Sequence, residues 1–540
     1  MTTADVALPR QQTKVQRRTE GSSPWLALLP LALIPVFGNS PEGLQRLLLV
    51  VQWLFFVMGV RQPVWILAAV MVSEMTILNY IYEFGSFQIS NRLVLTLASI
   101  PVVLPHVLRR PDLGPKAMSM VLAALGFFLI ATFANLIASD ADYVLKFSRF
   151  LITGLIVLVL APAVVNSRDD ARDLSLAVLV IGSASVLVAL LQHYSQFTDA
   201  PLYEAVPHAG TAGDTFVSWG GRVLGLTENP IYITTSLLFF AMFLLGVVLL
   251  GNLEPRVRLL FTVVLLATVA ALFFSYTRSW VYSAAFGLIA MALIYRGRYS
   301  REFVLLIIVV GGGFFYYSDA QSNRYTADAS RDSSAATRPV LWEAALDIAL
   351  DNPILGVGHD KFLELSPAYA SKIDRSLLER QGAGSALGRY QPHNDYLNVW
   401  LSWGTGALVL YLWLFVLTIK NYVEAFFRTD EPLLKGLALG GLGAVLAFGV
   451  NSFFHNLFDS TLIIWLLAGL SLALTKLVMT DPSLGLTKAA IAGPPAPRRR
   501  EVHKLPRRVK TEVTQENAAK QALERIAAAL NITWKGRRDA

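Results

Sequence analysis

The sequence predicts an all-α polytopic membrane protein with about 14 transmembrane helices. Three observations carry that expectation: long apolar stretches, sparse charge, and a basic bias that alternates from one connection to the next. Hydrophobic residues make up 54% of the 540 residues and charged residues only 16%, with a mean hydropathy of +0.51. That is more apolar material than one soluble core hides, so most of it must face lipid. A helix of roughly 20 apolar residues crosses a bilayer and satisfies its own backbone groups where water is absent.

Taken in order, residues 1–24 form a basic tail carrying Arg10, Lys14, Arg17 and Arg18, which the positive-inside rule places in the cytoplasm. Residues 25–38 read as a short first span without a small-residue cleavage site, or as a re-entrant segment, so thirteen or fourteen crossings both fit. The polytopic region continues to residue 480. Connections with Arg61, Arg109 and Arg110, Arg256 and Arg258, Arg296 to Arg301, and Lys420 to Lys435 all fall inside. The same count puts 81–91, 139–147, 195–229, 319–392 and 455–460 outside, and both termini in the cytoplasm. The longest polar interruption, 319–392, is expected as one large, helical outer loop.

Residues 481–540 are a basic cytoplasmic tail. It opens with a Pro-rich, solvated linker (Pro494, Pro495, Pro497, Arg498 to Arg500) within reach of anionic lipid heads. Leu523, Ile526 and Leu530 recur there at helical spacing, as expected for a short amphipathic helix on the membrane or on a partner. The net charge of +8 gathers in tails and inner loops, which argues against nucleic acid. With 0 cysteines there is no disulfide, thiol nucleophile or cysteine-bound metal.

The outer segments carry an ordered series of motifs: Arg338-Pro339-Val340-Leu341-Trp342, Asn352-Pro353-Ile354-Leu355-Gly356-Val357-Gly358, His393-Asn394, and Gly404-Thr405-Gly406. Upstream lies Gly220-Gly221-Arg222, just before Asn229-Pro230 opens a helix. In this order the series resembles the bacterial O-antigen ligase and polysaccharide polymerase superfamily, over about residues 215–475. The resemblance implies a GT-C-like fold in the bacterial inner membrane. It also implies inverting, metal-independent glycosyltransfer at the periplasmic face, without a cofactor. The donor would be an undecaprenyl-diphosphate-linked glycan and the acceptor a glycan or the lipid A core. Ligase and polymerase are not separated by sequence. The long tail leaves room for contacts with other polysaccharide-assembly proteins and with membrane lipids.

The chemistry of the residues fits that expectation. A departing diphosphate gains negative charge, and a fixed guanidinium binds its oxygens bidentately at any working pH. Arg222 and Arg338 match family arginines of that kind; the bland alternative is a solvated charge or a pair with Glu228 or Glu343. His393 can accept the proton of an acceptor hydroxyl, or merely orient it. Asn394 would fix the loop or the imidazole tautomer. Arg278 sits where two apolar runs meet, in a Ser-Arg pair that also resembles the family. Lys146 and Arg149 share a helix face and either meet the diphosphate or snorkel to lipid phosphates. Asp459, where the family tends to carry an acid, would pair with an arginine or orient His393.

Asp140-Ala141-Asp142 resembles the D-x-D string of metal-dependent glycosyltransferases, but Asp before a helix is a routine cap, and no catalytic metal is expected. Glu74 and His106 lie inside apolar spans, either on a proton path or in an interhelical hydrogen bond. The competing functional class is a transporter or flippase of lipid-linked oligosaccharides. It calls for inverted repeats and broken mid-membrane helices, and the sequence shows no obvious repeat.

Overall fold

The computed structural model describes residues 43–76, 78, 81–84, 87–109, 113–114, 116–138, 141–195, 222–227, 229–295, 311, 333–458, 460–481 and 483–484. The expected first span at 25–38, both tails with the Leu523 to Leu530 segment, Asp140, Glu228 and Asp459 lie outside them. The bundle is built from α1 (Gly43–Arg61), α2 (Val64–Met75), α3 (Asn91–Arg109), α4 (Ala117–Ala138), α5 (Ala141–Val164), α6 (Arg168–Ser195), α7 (Pro230–Leu250), α8 (Pro255–Phe274) and α9 (Ser279–Ile294). A second group follows: α10 (Ser333–Asp351), α11 (Lys361–Leu365), a 3-10 turn at Ser366–Lys372, α12 (Arg375–Glu379) and a 3-10 turn at Arg380–Ala386. The chain then returns to the bundle as α13 (Asp395–Arg428), α14 (Pro432–Ser452) and α15 (Ile463–Thr480).

Seven of these helices (α4, α6, α7, α8, α13, α14 and α15) are long and apolar enough to cross a bilayer, and five shorter apolar helices lie among them. The bundle is apolar outside as well as inside. α4 turns Met118, Leu122, Leu129, Phe133 and Leu136 outward, and α8 turns out Leu259, Leu260, Val263 and Leu266. Such a surface needs lipid around it. Along their most apolar stretches α15 is 89% buried and α8 only 17%, so α15 is central and α8 peripheral. At the centre α7 meets α14 through small residues: a Cβ on Gly440 would stand 2.6 Å from the Met242 carbonyl oxygen. Only glycine lets the two backbones approach so closely.

The all-helical expectation needs one correction. Ile81–Phe84 (β1) and Phe87–Ser90 (β2) pair antiparallel, Ile81 opposite Ser90 and Phe84 opposite Phe87, in the connection expected as plain loop. Ile81, Tyr82, Phe84, Phe87 and Ile89 are β-formers, which is why this short segment pairs instead of coiling.

The large loop has its own core. Val340, Leu341, Ala344, Ala345 and Ile348 line one face of α10 and pack on Phe362, Ile373 and Leu401. Leu401 belongs to α13, so the loop is seated on that helix. The seat is a break: Gly404 has φ 79° and ψ −180°, so Asp395–Arg428 is two helices in line. That backbone conformation is open essentially to glycine alone. Three of the opened groups find partners in the loop. Val357 and Gly358 N–H donate to the Leu401 and Ser402 carbonyls at 2.8 and 2.9 Å, and Thr405 N–H donates to Pro353 O at 2.8 Å. Residues 353–358 therefore act as a clip inserted into α13, satisfying a helix end and a helix start at once.

Candidate functional site

Four segments meet at one end of the bundle: the lead-in to α7, the α8–α9 connection, the end of the large loop, and the turn after α14. Hydrogen bonds link them in series. Arg222 Nε donates to Ser275 O at 2.8 Å, and its terminal nitrogen to Thr277 Oγ1 at 2.6 Å. Ser279 Oγ contacts His455 Nε2 at 2.8 Å. Asn456 Oδ1 accepts the Asn394 N–H at 2.9 Å, and Trp342 Nε1 donates to Pro392 O at 2.9 Å.

The lead-in to α7 is tied down on both sides. Leu224 and Gly225 N–H donate to Gln192 Oε1 at 2.9 and 2.8 Å, and Val223 N–H donates to Phe274 O at 3.2 Å. Asn229 caps α7 through its side chain, at 2.8 Å from Ile231 N, with Pro230 in the first turn. Arg222 is thus fixed at both backbone and side chain.

Arg338 is held differently. Its guanidinium lies 5.9 Å from the centre of the Phe454 ring, and among the described residues no carboxylate pairs it. Burial, and then repulsion from Arg278, lower its proton affinity below the ordinary arginine value. It keeps its charge nevertheless. Arg278 itself is exposed at the start of α9.

His393 takes a left-handed backbone conformation, φ 51°. For a residue with a Cβ this costs about 1–2 kcal/mol, so the neighbours must enforce it. They do: Pro392 is gripped by Trp342 and Asn394 by Asn456, while Asn394 Oδ1 caps α13 at 3.1 Å from Leu397 N. The next residue, Asp395, is fully buried and accepts from Leu457 and Phe458 N–H at 2.8 and 3.0 Å. Burial, and then Arg338, push the His393 pKa down to about 4. The imidazole is neutral at pH 7, a base with a free lone pair.

Arg222, Arg278, Arg338, His393 and Asn394 are therefore brought to one place. For Lys146 and Arg149 only the helical backbone of α5 is described, and His106 is likewise described only as backbone in α3. Glu74 has a partner that sequence reading did not find: Arg92 Nε at 2.8 Å. Glu74 also accepts Leu462 N–H at 2.6 Å, and Arg92 donates to Ser460 O at 2.7 Å. The pair pins the α14–α15 connection, which continues from His455 and Asn456.

Residues to which the sequence alone gave no individual role include Trp342, Asp395, Ser279, Asn451 and His455. One signal was present: His-Asn occurs twice, at 393–394 and at 455–456, and both copies reach this site. Among the described residues no three His, Asp or Glu side chains gather as a metal-ligand group. An apolar cavity of about 300 Å³ lies at the other end, between α6, α7, α8, α14 and α15, rimmed by Arg168 and Arg172.

No curated protein matches the chain. Residues 261–412, a stretch that includes Arg278, Arg338 and His393, match the family model described as O-antigen ligase.

Proposed function

We propose that the chain is an inverting glycosyltransferase of the bacterial inner membrane. It would move a glycan from an undecaprenyl-diphosphate carrier to a sugar hydroxyl at the periplasmic face, with 14 crossings, both termini cytoplasmic and the large loop outside. The observation that carries this reading is Arg338: a largely buried cation beside Arg278 and two imidazoles, without a carboxylate among the described residues. Such a site is short of negative charge, and a diphosphate supplies it.

In this reading Arg222, Arg278 and Arg338 bind the diphosphate, with Lys146 and Arg149 as further candidates and Asp459 orienting an arginine or His393. The acceptor hydroxyl oxygen attacks the anomeric carbon as its proton passes to His393. The bond from that carbon to the phosphate oxygen breaks on the opposite face, and the electron pair leaves with undecaprenyl diphosphate. Configuration inverts once. The guanidinium groups carry the charge stabilisation, so no metal or cofactor is assigned. Bound diphosphate also offsets the field of Arg338 at His393 and so raises the basicity of the imidazole when the donor is in place. A glycan or the lipid A core serves as acceptor, and the C-terminal tail is available to other assembly proteins.

The broken helix α13 is a feature a transporter would share, yet the Leu401 and Ser402 carbonyls and the Thr405 N–H at the break are bonded to residues 353–358. The test is transfer of donor, extracted from a strain lacking this gene, to its acceptor in detergent. His393→Ala that inserts and folds normally but retains more than about a tenth of wild-type transfer would sink the proposal.

A further inference from the structure

The apolar cavity away from the histidines is a wedge between α6 and α8. At the histidine end the two helices touch, His193 stacking on Phe274 with ring centres 3.5 Å apart. Toward the other end they part: α8 buries only Thr268, Ala271 and Leu272, all in its second half. The gap is the cavity of about 300 Å³, walled by α6 between Arg168 and Leu179 and by Val257 and Phe261 of α8, with α7, α14 and α15 as its floor. It opens sideways, because Leu176 lines it and is 44% exposed. In a bilayer an open apolar wedge fills with hydrocarbon, since water there would leave its own hydrogen bonds unmade.

The polar groups say what that hydrocarbon is attached to. Of the side chains lining the cavity only Arg168, Arg172 and Ser175 are polar, and no carboxylate is among them. Ser175 donates its proton within the helix, to Ala171 O at 2.7 Å. Arg168 Nε donates to Glu431 Oε1 at 2.6 Å. Arg172, one turn further along the same face of α6, is exposed and makes no ion pair among the described residues. The neighbouring acids Asp169, Asp170 and Asp173 are absent from the lining. An apolar body thus ends in an uncommitted guanidinium, the complement of an amphiphile with a hydrocarbon tail and a phosphate head. The polyprenyl chain of the donor is a poorer match. Its diphosphate belongs among the histidines in the reading above, so it would bring only hydrocarbon to this end and leave Arg172 unused.

We infer that this wedge is a binding site for a phospholipid of the leaflet on this side, its acyl chain between α6 and α8 and its anionic head on Arg172. The head is a phosphate without a compensating ammonium, as in phosphatidylglycerol, because the lining offers a cationic head group no carboxylate. The occupant braces α8, whose far end runs into Ser275 and Thr277, the two residues that hold Arg222.

Binding is measured without transfer. The purified full chain in detergent is titrated with dioleoyl phosphatidylglycerol or dioleoyl phosphatidylcholine, and bound lipid is counted by native mass spectrometry. Phosphatidylglycerol is expected to bind about tenfold more tightly, the difference one charge-assisted contact makes. Arg172→Gln should erase that preference. Arg258→Gln, the same loss of charge at an exposed arginine outside the lining, should keep it. Ser175→Phe fills the wedge and should weaken both lipids about tenfold or more, with an unchanged thermal midpoint in detergent alone. Equal affinity of wild type for the two lipids overturns the site, as does a loss in R258Q equal to that in R172Q, or full affinity in S175F. Undecaprenol that displaces phosphatidylglycerol from wild type and binds R172Q equally well would give the wedge to a polyprenyl chain and overturn it too. Should S175F fail to fold, R172Q against R258Q still decides.

Discussion

The two ends of the bundle both carry arginines, but Arg338 at the histidine end is treated unlike the paired cations at the other. Away from the histidines, Arg168 meets Glu431 at 2.6 Å, Arg428 meets Glu424 at 2.9 Å with Lys116 on its other side, and Lys435 meets Asp430 at 3.2 Å. Glu431 also caps α14. At the histidine end Arg338 has an aromatic face and, among the described residues, no acid. Matched charges anchor helix ends and do little else, whereas a cation kept from a counterion is poised for one that arrives from outside.

That contrast can be broken by substitution. The largest effect is expected at the unmatched end: His393→Ala and Arg338→Ala each lower transfer about 100-fold or more with unchanged folding, and Arg338→Lys recovers only part because it lacks the planar fork. Transfer rates on extracted donor decide this. Glu74→Ala comes next, since it strands the buried Arg92 and is expected to cost about 3–5 kcal/mol in thermal or denaturant stability. Gly404→Ala is expected to unseat the loop, because its Cβ would lie 2.0 Å from the Ile354 carbonyl oxygen and its φ of 79° disfavours any side chain. A destabilisation of about 3 kcal/mol, with faster proteolysis between 353 and 392, is the outcome to look for.

Acid should act on the same end. The pKa of His359, in the seated loop, is pushed down to about 4 by burial, as is that of His393 by burial and Arg338. Between about 6.5 and 4 the unfolded chain takes up protons that the folded imidazoles refuse, so stability falls with pH in that window and is flat above it. The ceiling is about 3 kcal/mol for each fully depressed histidine. The acid limb of kcat/KM should likewise lie near pH 4 to 5 and not near 6.5. The smallest effect belongs to the matched end: Arg168→Ala breaks a half-exposed pair, is expected to cost about 1 kcal/mol or less, and should leave transfer unchanged.

The helices were legible because bilayer thickness imposes a length and an apolarity that α4, α7 and α14 display in any window. Arg338 and His393 were legible because phosphate and proton chemistry narrow the residue types to very few. The clip at Gly404 was not, since its φ is set by Pro353 to Gly358, about fifty residues earlier in the chain. The hairpin was missed because its apolar residues sit between two spans and read as a loop. The partner of Glu74 was hidden behind that misreading, on the first turn of α3. His455 was missed because a buried histidine is ordinary until its neighbours are known.

The clip also sets where this protein can be cut and rejoined. Its backbone hydrogen bonds run from residues 353–358 to 401–405, so the large loop ends, in energetic terms, inside α13 and not at His393. A chimera that borrows the loop of a relative should take the donor sequence through residue 405; one that stops at 392 would pair a foreign strap with a native notch and lose the backbone geometry that aims the imidazole.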